Sequence, residues 1–266
     1  MAVGTQHGKQ HQFAPAFRRV LGAELVTPAV DTDQFGTFAG EVVRTVAPAD
    51  AARAKARLAM SVSGLPYGLA SEASYGPLTG GLLGHEEILL FCDDVAGIEI
   101  VEGHRTTSLP GVSRPVCRFD EVPTSLLADL PGQALIVRPR GAVGAITKGI
   151  TGVDGLRAAI DAAAAASPDG VALVEPDLRA HHNPSRRLIL TGLAEAMACR
   201  LATACPSCGA PGFGRVGAEP GLPCRVCEAP TPLRHRDIHG CAVCGHRERR
   251  QIRAAADPTD CPACNP

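Results

Sequence analysis

Apolar positions along the chain fall into short β-rich runs that alternate with longer helical runs. Leu25-Val26 reads as a short strand and Tyr67 to Ser71 as another. Glu87 to Cys92 suits a fully buried strand, with Ile98 to Val101 as its antiparallel partner. Gln133 to Val137 and Val171 to Val174 read as further strands. Between them lies an alanine-rich helix, Ala49 to Ser63, and an amphipathic one, Val153 to Ala166, stopped by Ser167-Pro168-Asp169-Gly170. A third helix runs from Pro184 to about Ala202, with Asn183 as N-cap and proline at the first helical position. Ser108 to Asp120, with its prolines and arginines, reads as a loop. Strands interleaved with helices predict an α/β domain with a mixed sheet over residues 1–203.

The pattern changes at residue 204. Three of the eleven cysteines, Cys92, Cys117 and Cys199, lie before it, and eight lie after it. Those eight form four knuckles: Cys205-Pro-Ser-Cys208, Cys224-Arg-Val-Cys227, Cys241-Ala-Val-Cys244 and Cys261-Pro-Ala-Cys264. Two residues between thiols let both sulfurs reach one tetrahedral ion, and four thiolates close a zinc coordination sphere with no open position for water. Residues 204–266 are therefore expected to be a double zinc ribbon around two structural zinc ions. Fifteen residues separate the first two knuckles and sixteen the last two. Those spacings favour pairing the first knuckle with the second and the third with the fourth, with interleaved pairing as the alternative. Gly209 and Gly245 after two of the knuckles suit tight turns.

Bulk properties narrow the function. A hydrophobic content of 45% with 20% charged residues is that of a globular protein, and no apolar run is long enough to span a membrane. A net charge of -1 argues against a general nucleic-acid or membrane-surface binder. The first residues carry no basic flank followed by an apolar run, so the expected compartment is the cytoplasm, where thiols serve metals rather than disulfides. The tail holds eight arginines, six acidic residues and one aromatic, Phe213, a weak combination for gripping nucleic-acid strands. His246-Arg247-Glu248-Arg249-Arg250 is its most basic patch, so binding of nucleic acid or a partner protein through the tail stays open. Cys92 suits a buried strand, Cys199 a helix face and Cys117 a loop.

Candidate chemistry sits in polar clusters of the front part. Thr5-Gln6-His7-Gly8-Lys9 passes from a strand end through glycine into a helix, offering amide donors and a cation to a phosphate. Asp31 to Glu41 holds three carboxylates and two glycines, a set suited to a hard cation such as Mg²⁺. Arg53 and Lys55 lie on the alanine-rich helix. Glu72 follows a buried strand, where a carboxylate needs a partner. Glu175 to Arg187 crowds Asp177, Arg179, His182 and Arg186 between a strand exit and a helix N-terminus, a setting for an anionic ligand.

Two resemblances follow from these residues. Asp31 to Glu41, Ser71 to Pro77, Asp177 to Pro184 and the tail ending Cys261-Pro-Ala-Cys-Asn-Pro266 together resemble an uncharacterised bacterial family, which implies no activity. The order of the front clusters resembles the house-cleaning nucleoside triphosphate pyrophosphatases of the inosine/xanthosine triphosphatase group. Thr5 to Lys9, Gly36-Thr37-Phe38 with Glu41, Ala52-Arg-Ala-Lys55-Ala56, Glu72-Ala-Ser74-Tyr-Gly76 and Asn183-Pro-Ser185-Arg186 carry that likeness. It implies a Mg²⁺-dependent nucleotide hydrolase in which Glu41 and Glu72 hold the ion. Lys9 and Lys55 would then contact phosphate, and Arg179, His182 and Arg186 would face the nucleoside. The sequence departs from that family where paired aspartates are replaced by Ser71-Glu72. The alternative is a non-catalytic zinc-ribbon protein whose front part binds an anionic ligand.

Overall fold

The computed structural model describes residues 1–36, 45–78, 81–109, 111, 113–141 and 146–266. A first sheet is built from β1 (Ala2–Val3), β2 (Tyr67–Pro77), β3 (Leu83–Asp93) and β4 (Ile98–Thr106) in that order. β1 runs parallel to β2, and the remaining pairs are antiparallel. Side chains alternate across a strand, so each sheet face collects every second residue. Leu69, Leu89 and Phe91 point to one face, where they pack on Phe13 and Phe17 of α1 (Gln10–Leu21) and on Leu190, Leu193 and Met197 of α5 (Pro184–Ala202). Ala70, Leu90 and Cys92 point to the other, against Ala52, Ala56, Ala59 and Met60 of α2 (Pro48–Ser63). The small alanine ridge of α2 brings the helix close: a side chain at Gly68 would meet the Met60 sulfur at 2.5 Å.

A second sheet is wholly antiparallel. Its order is β5 (Arg114–Val116), β8 (Ala172–Pro176), β6 (Leu135–Pro139) and β7 (Thr147–Ile150). The amphipathic α4 (Val153–Ala166) covers it with Leu156, Ala159, Ile160 and Ala163, and the short α3 (Thr124–Ala128) adds Leu126 to the same core. The mixed sheet read from the sequence is present, and this second sheet with its own core is added to it. β5 falls inside the stretch expected to be a loop. Leu25-Val26 is reduced to one parallel bridge, Val26 to Ala2. β2 does not stop at Ser71 but continues to Pro77, so Glu72 lies inside a strand rather than at its end.

The cysteine-rich segment follows α5. β9 (Gly214–Pro220), β10 (Arg234–Gly240) and β11 (Arg247–Gln251) form an antiparallel sheet with β10 in the centre. It packs on the front part where Gly212 meets Ile100 so closely that a side chain there would collide. Arg200 of α5 joins the two by donating to the carbonyl of Gly212 and to Glu102 on β4. Among the described residues, no helix is long and apolar enough to cross a membrane.

Candidate functional site

Among the described residues, two places bring chemistry together. The first is a cleft beside the end of β1. β1 pairs with β2 only at Gly68 and Leu69, and the chain then turns away at Gly4. Past that point β2 continues without β1 beside it, so groups from both faces of the sheet meet. Gly4 is required there because a Cβ would collide with the carbonyl oxygen of Lys55. Strand alternation places neighbouring residues on opposite faces. Ser71 turns toward α1, and its hydroxyl and carbonyl accept from Lys9 Nζ at 2.9 and 3.2 Å. Glu72 turns toward α2 and accepts from Lys55 Nζ at 2.6 Å, a pair that is buried on both sides.

From the opposite side come the residues that follow β8. Asp177 is fully buried and holds the Arg179 guanidinium at 2.6 Å while accepting the Gly149 amide at 3.1 Å. Burial raises the Asp177 carboxyl, but the Arg179 hydrogen bonds outweigh it and hold the group below the ordinary carboxylate range. Arg186, on the first turn of α5, is gripped by Glu87 of β3 and donates to the carbonyl of Leu178. His85 stands 3.3 Å from Glu87 and stacks on Tyr75 with ring centres 4.4 Å apart. Burial alone would raise Glu87; Arg186, His85 and Lys9 together bring it down to about 2.

Lys9, Lys55, Glu72, Arg179 and Arg186, expected from the sequence to act together, all line this one cleft. Gly4, Thr5, His7, Thr32, Asp33, Gly36, Lys148 and Ala180 complete it around about 70 Å³ of space, room for a few waters or a phosphate group. Five cationic side chains and two carboxylates, Asp33 and Glu72, face it among the described residues. His182 stands behind the lining, its ring 4.0 Å from that of His181, which in turn stacks on His7 at 5.1 Å. Burial and the neighbouring cations lower His181 to about 4, and burial lowers His7 despite its bond to Asp33. Lys9 falls to about 8, chiefly through burial. Glu41 lies outside the described residues.

Sequence reasoning missed His7 and Lys148 as cleft residues. Lys148 sits alone between Thr147 and Gly149, with no cluster to mark it. A usable signal was present all the same. The chain contains only three lysines, Lys9, Lys55 and Lys148, among 26 lysine and arginine residues, and all three line the cleft.

The second place is the cysteine segment. Cys205, Cys208, Cys241 and Cys244 form one tetrad, and Cys224, Cys227, Cys261 and Cys264 form the other, with all sulfurs in each within 4.8 Å. The pairing is therefore first knuckle with third and second with fourth, which overturns the sequential expectation. The cause is β9. Seven residues of extended chain carry the backbone about 20 Å from the first knuckle before the second begins. β10 returns it for the third, and β11 leads away toward the fourth. Sulfur–sulfur distances of 3.7 Å in the first tetrad, and of 3.6 and 3.9 Å in the second, suit a shared ion. Four ligands about 2.3 Å from a tetrahedral centre stand about 3.8 Å apart. Each knuckle closes with the same turn: the amides of Gly209, Glu228, Gly245 and Asn265 donate to the carbonyls of Cys205, Cys224, Cys241 and Cys261. Each tetrad can hold one metal ion.

These features define the class: an α/β protein with a cation-lined cleft and a cross-braced, cysteine-rich C-terminal segment. The chain belongs to the family described as a domain of unknown function (DUF6671), whose match spans residues 55–266. That span includes Lys55, Glu72, Arg179, Arg186 and both tetrads, and it begins after Lys9. No curated protein and no solved structure matches the chain.

Proposed function

We propose that the cleft binds a phosphate-bearing small molecule of the nucleotide class, and that the two tetrads hold structural zinc. The first half rests on one observation: cations from four separate parts of the chain, Lys9, Lys55, Lys148 and the Arg179/Arg186 pair, converge on a single small cleft. Glu72 offsets Lys55 and Glu87 offsets Arg186, so both cations stay in place before a ligand arrives. Calorimetric titration of tripolyphosphate and of nucleoside triphosphates into the full chain tests this reading. Saturable binding that is lost in Arg179→Ala supports it, and no heat from any polyphosphate overturns it.

All-thiolate donors and near-tetrahedral sulfur spacing favour zinc over harder cations, and a closed sphere assigns it to folding rather than catalysis. On this reading residues 1–203 carry the ligand site and residues 204–266 form the zinc module.

A second reading is Mg²⁺-dependent hydrolysis of the bound nucleotide. It is favoured by Asp33 and Glu72 lining the same cleft as the cations. Glu72, with Glu41, would hold the ion, which would supply Lewis-acid polarisation of a phosphoryl oxygen. Lys9 and Lys55 would neutralise the phosphate oxygens, while Arg179, His182 and Arg186 would stand toward the nucleoside. A nucleotide panel assayed with Mg²⁺ tests it: turnover no greater than that of Glu72→Gln sinks hydrolysis and leaves binding intact. Contact of the tail with a partner protein or nucleic acid would be read by salt-dependent retention of the full chain on each.

A further inference from the structure

An arginine-rich chain that keeps its only three lysines for one cleft points to amine chemistry. A guanidinium holds phosphate at least as well as an ammonium, through two parallel hydrogen bonds, and it cannot lose its proton. Were charge the sole requirement, arginine would serve at these positions as it does elsewhere in the chain. An amine is needed where the neutral form has work to do. We propose that Lys9 is a nucleophilic amine that condenses with the carbonyl group of a phosphate-bearing aldehyde or ketone held in the cleft. This rests on the phosphate-binding reading above and adds a covalent step to it.

Geometry selects Lys9 among the three. Lys55 Nζ is engaged in a buried ion pair with the Glu72 carboxylate at 2.6 Å. Lys9 Nζ instead donates to a neutral hydroxyl and a carbonyl, those of Ser71, which orient the nitrogen without fixing its charge. Arg186 and Lys55 add repulsion, Glu87 and Glu72 oppose it, and burial dominates, leaving the group at about 8. At neutral pH that leaves more free amine than an ordinary lysine offers. Lys148 and Arg179 face the same space and are placed to take the phosphate. In the condensation the Lys9 nitrogen lone pair forms the bond to the carbonyl carbon. The carbonyl oxygen then departs with the two amine protons as water, leaving a C=N bond. Nothing is oxidised or reduced.

The test uses the full, zinc-loaded chain with pyridoxal phosphate as the probe, borohydride to trap any imine, and peptide mapping of the product. Lys9 is expected to carry the label at least about tenfold over Lys55, Lys148 and the N-terminal amine, a gap of about 1.4 kcal/mol. Tripolyphosphate is expected to block it, pyridoxal without phosphate to label about tenfold less, and Lys9→Arg to lose the adduct. Label spread evenly over the amines, or equal labelling by pyridoxal, overturns the proposal. If tripolyphosphate binds by calorimetry and Lys9 stays unlabelled, the covalent step falls and the binding reading stands. If tripolyphosphate neither binds nor protects, both fall.

Discussion

Glu87 on β3 and Arg186 on α5, 99 positions apart in sequence, face each other across two hydrogen bonds of 2.8 and 2.9 Å with almost no solvent exposure. The pair fastens the N-terminal turn of α5 to the first sheet, and its Arg186 lines the cleft. Its geometry is bidentate, and Leu178 and His85 take up further hydrogen-bonding capacity, as a buried ion pair requires.

Glu87→Gln is expected to destabilise the front part by about 3–5 kcal/mol, because it leaves the Arg186 charge buried without its partner. The pH dependence has a definite sign. The folded-state pKa of Glu87 is depressed to about 2 from 4.5, so its contribution is complete above about pH 4.5 and is lost as pH falls through about 2. The shift corresponds to about 3 kcal/mol. Both tyrosines, Tyr67 and Tyr75, lie on β2, and there is no tryptophan, so tyrosine fluorescence reports this sheet and not the cysteine segment. Urea unfolding followed that way should weaken between pH 4.5 and 2 in the wild type and change far less in Glu87→Gln. Parallel curves for the two proteins would show that the pair is not what acid breaks.

The interleaved tetrads make a prediction that sequential pairing reverses. Cys208 and Cys244 belong to one tetrad, so the double variant Cys208→Ser/Cys244→Ser should keep one zinc ion per chain. Cys208 and Cys227 belong to different tetrads, so Cys208→Ser/Cys227→Ser should lose most of both. Metal analysis after dialysis against a weak chelator reads the two counts directly. The reverse ordering would restore the sequential arrangement. Each structural zinc contributes about 10–16 kcal/mol of apparent binding energy in small modules, so the second variant should also lose the β9–β11 sheet.

How much of this was legible beforehand depended on range. Local signals held: Asn183 caps α5 through its side chain, which accepts the Arg186 amide, and the alanine run became α2. The knuckles announced two metal sites because a two-residue spacing is itself a coordination geometry. What failed was long-range. Fifteen residues between knuckles fit an out-and-back loop as well as a one-way strand, and nothing local separates the two. β5 was missed because Arg114-Pro115-Val116 is stabilised by pairing with Val174, Leu173 and Ala172 rather than by its own propensity. Five of the seven cleft residues expected from the sequence converge. His182 stands one ring behind, because its neighbour Gly149 at φ +69° leaves space that the imidazole fills.

Gly4 tests whether the closeness of β1 and α2 shapes the cleft. Gly4→Ala should push the Lys55 carbonyl away, costing about 1–3 kcal/mol by overpacking. It should also weaken tripolyphosphate binding, because Lys55 moves with the helix while its partner Glu72 stays on β2. Gly22 supplies the control. It has a positive φ but open space around it, so Gly22→Ala should cost about 1 kcal/mol through backbone strain and leave binding unchanged. Equal loss of binding in both variants would show that general destabilisation, not helix displacement, is responsible.

Glu228 occupies the turn after the second knuckle with φ 59°, a left-handed conformation that Gly209 and Gly245 adopt at the matching positions of the first and third. A side chain there costs about 1–2 kcal/mol relative to an ordinary backbone conformation. Its carboxylate also adds negative charge beside a tetrad that already carries four thiolates once metal is bound. Glycine relieves both, at the expense of greater freedom in the unfolded chain, which returns about 0.5–1 kcal/mol of the gain. Glu228→Gly should therefore retain the ion of the second tetrad at a chelator concentration about two- to fivefold higher than the wild type tolerates, a gain of up to about 1 kcal/mol. The first tetrad, about a strand length away, should be unaffected. Competition with a chromophoric chelator resolves the two ions in sequence. A variant that releases the second ion more readily would mean that Glu228 serves the knuckle through its side chain, for which the strained backbone is the cost.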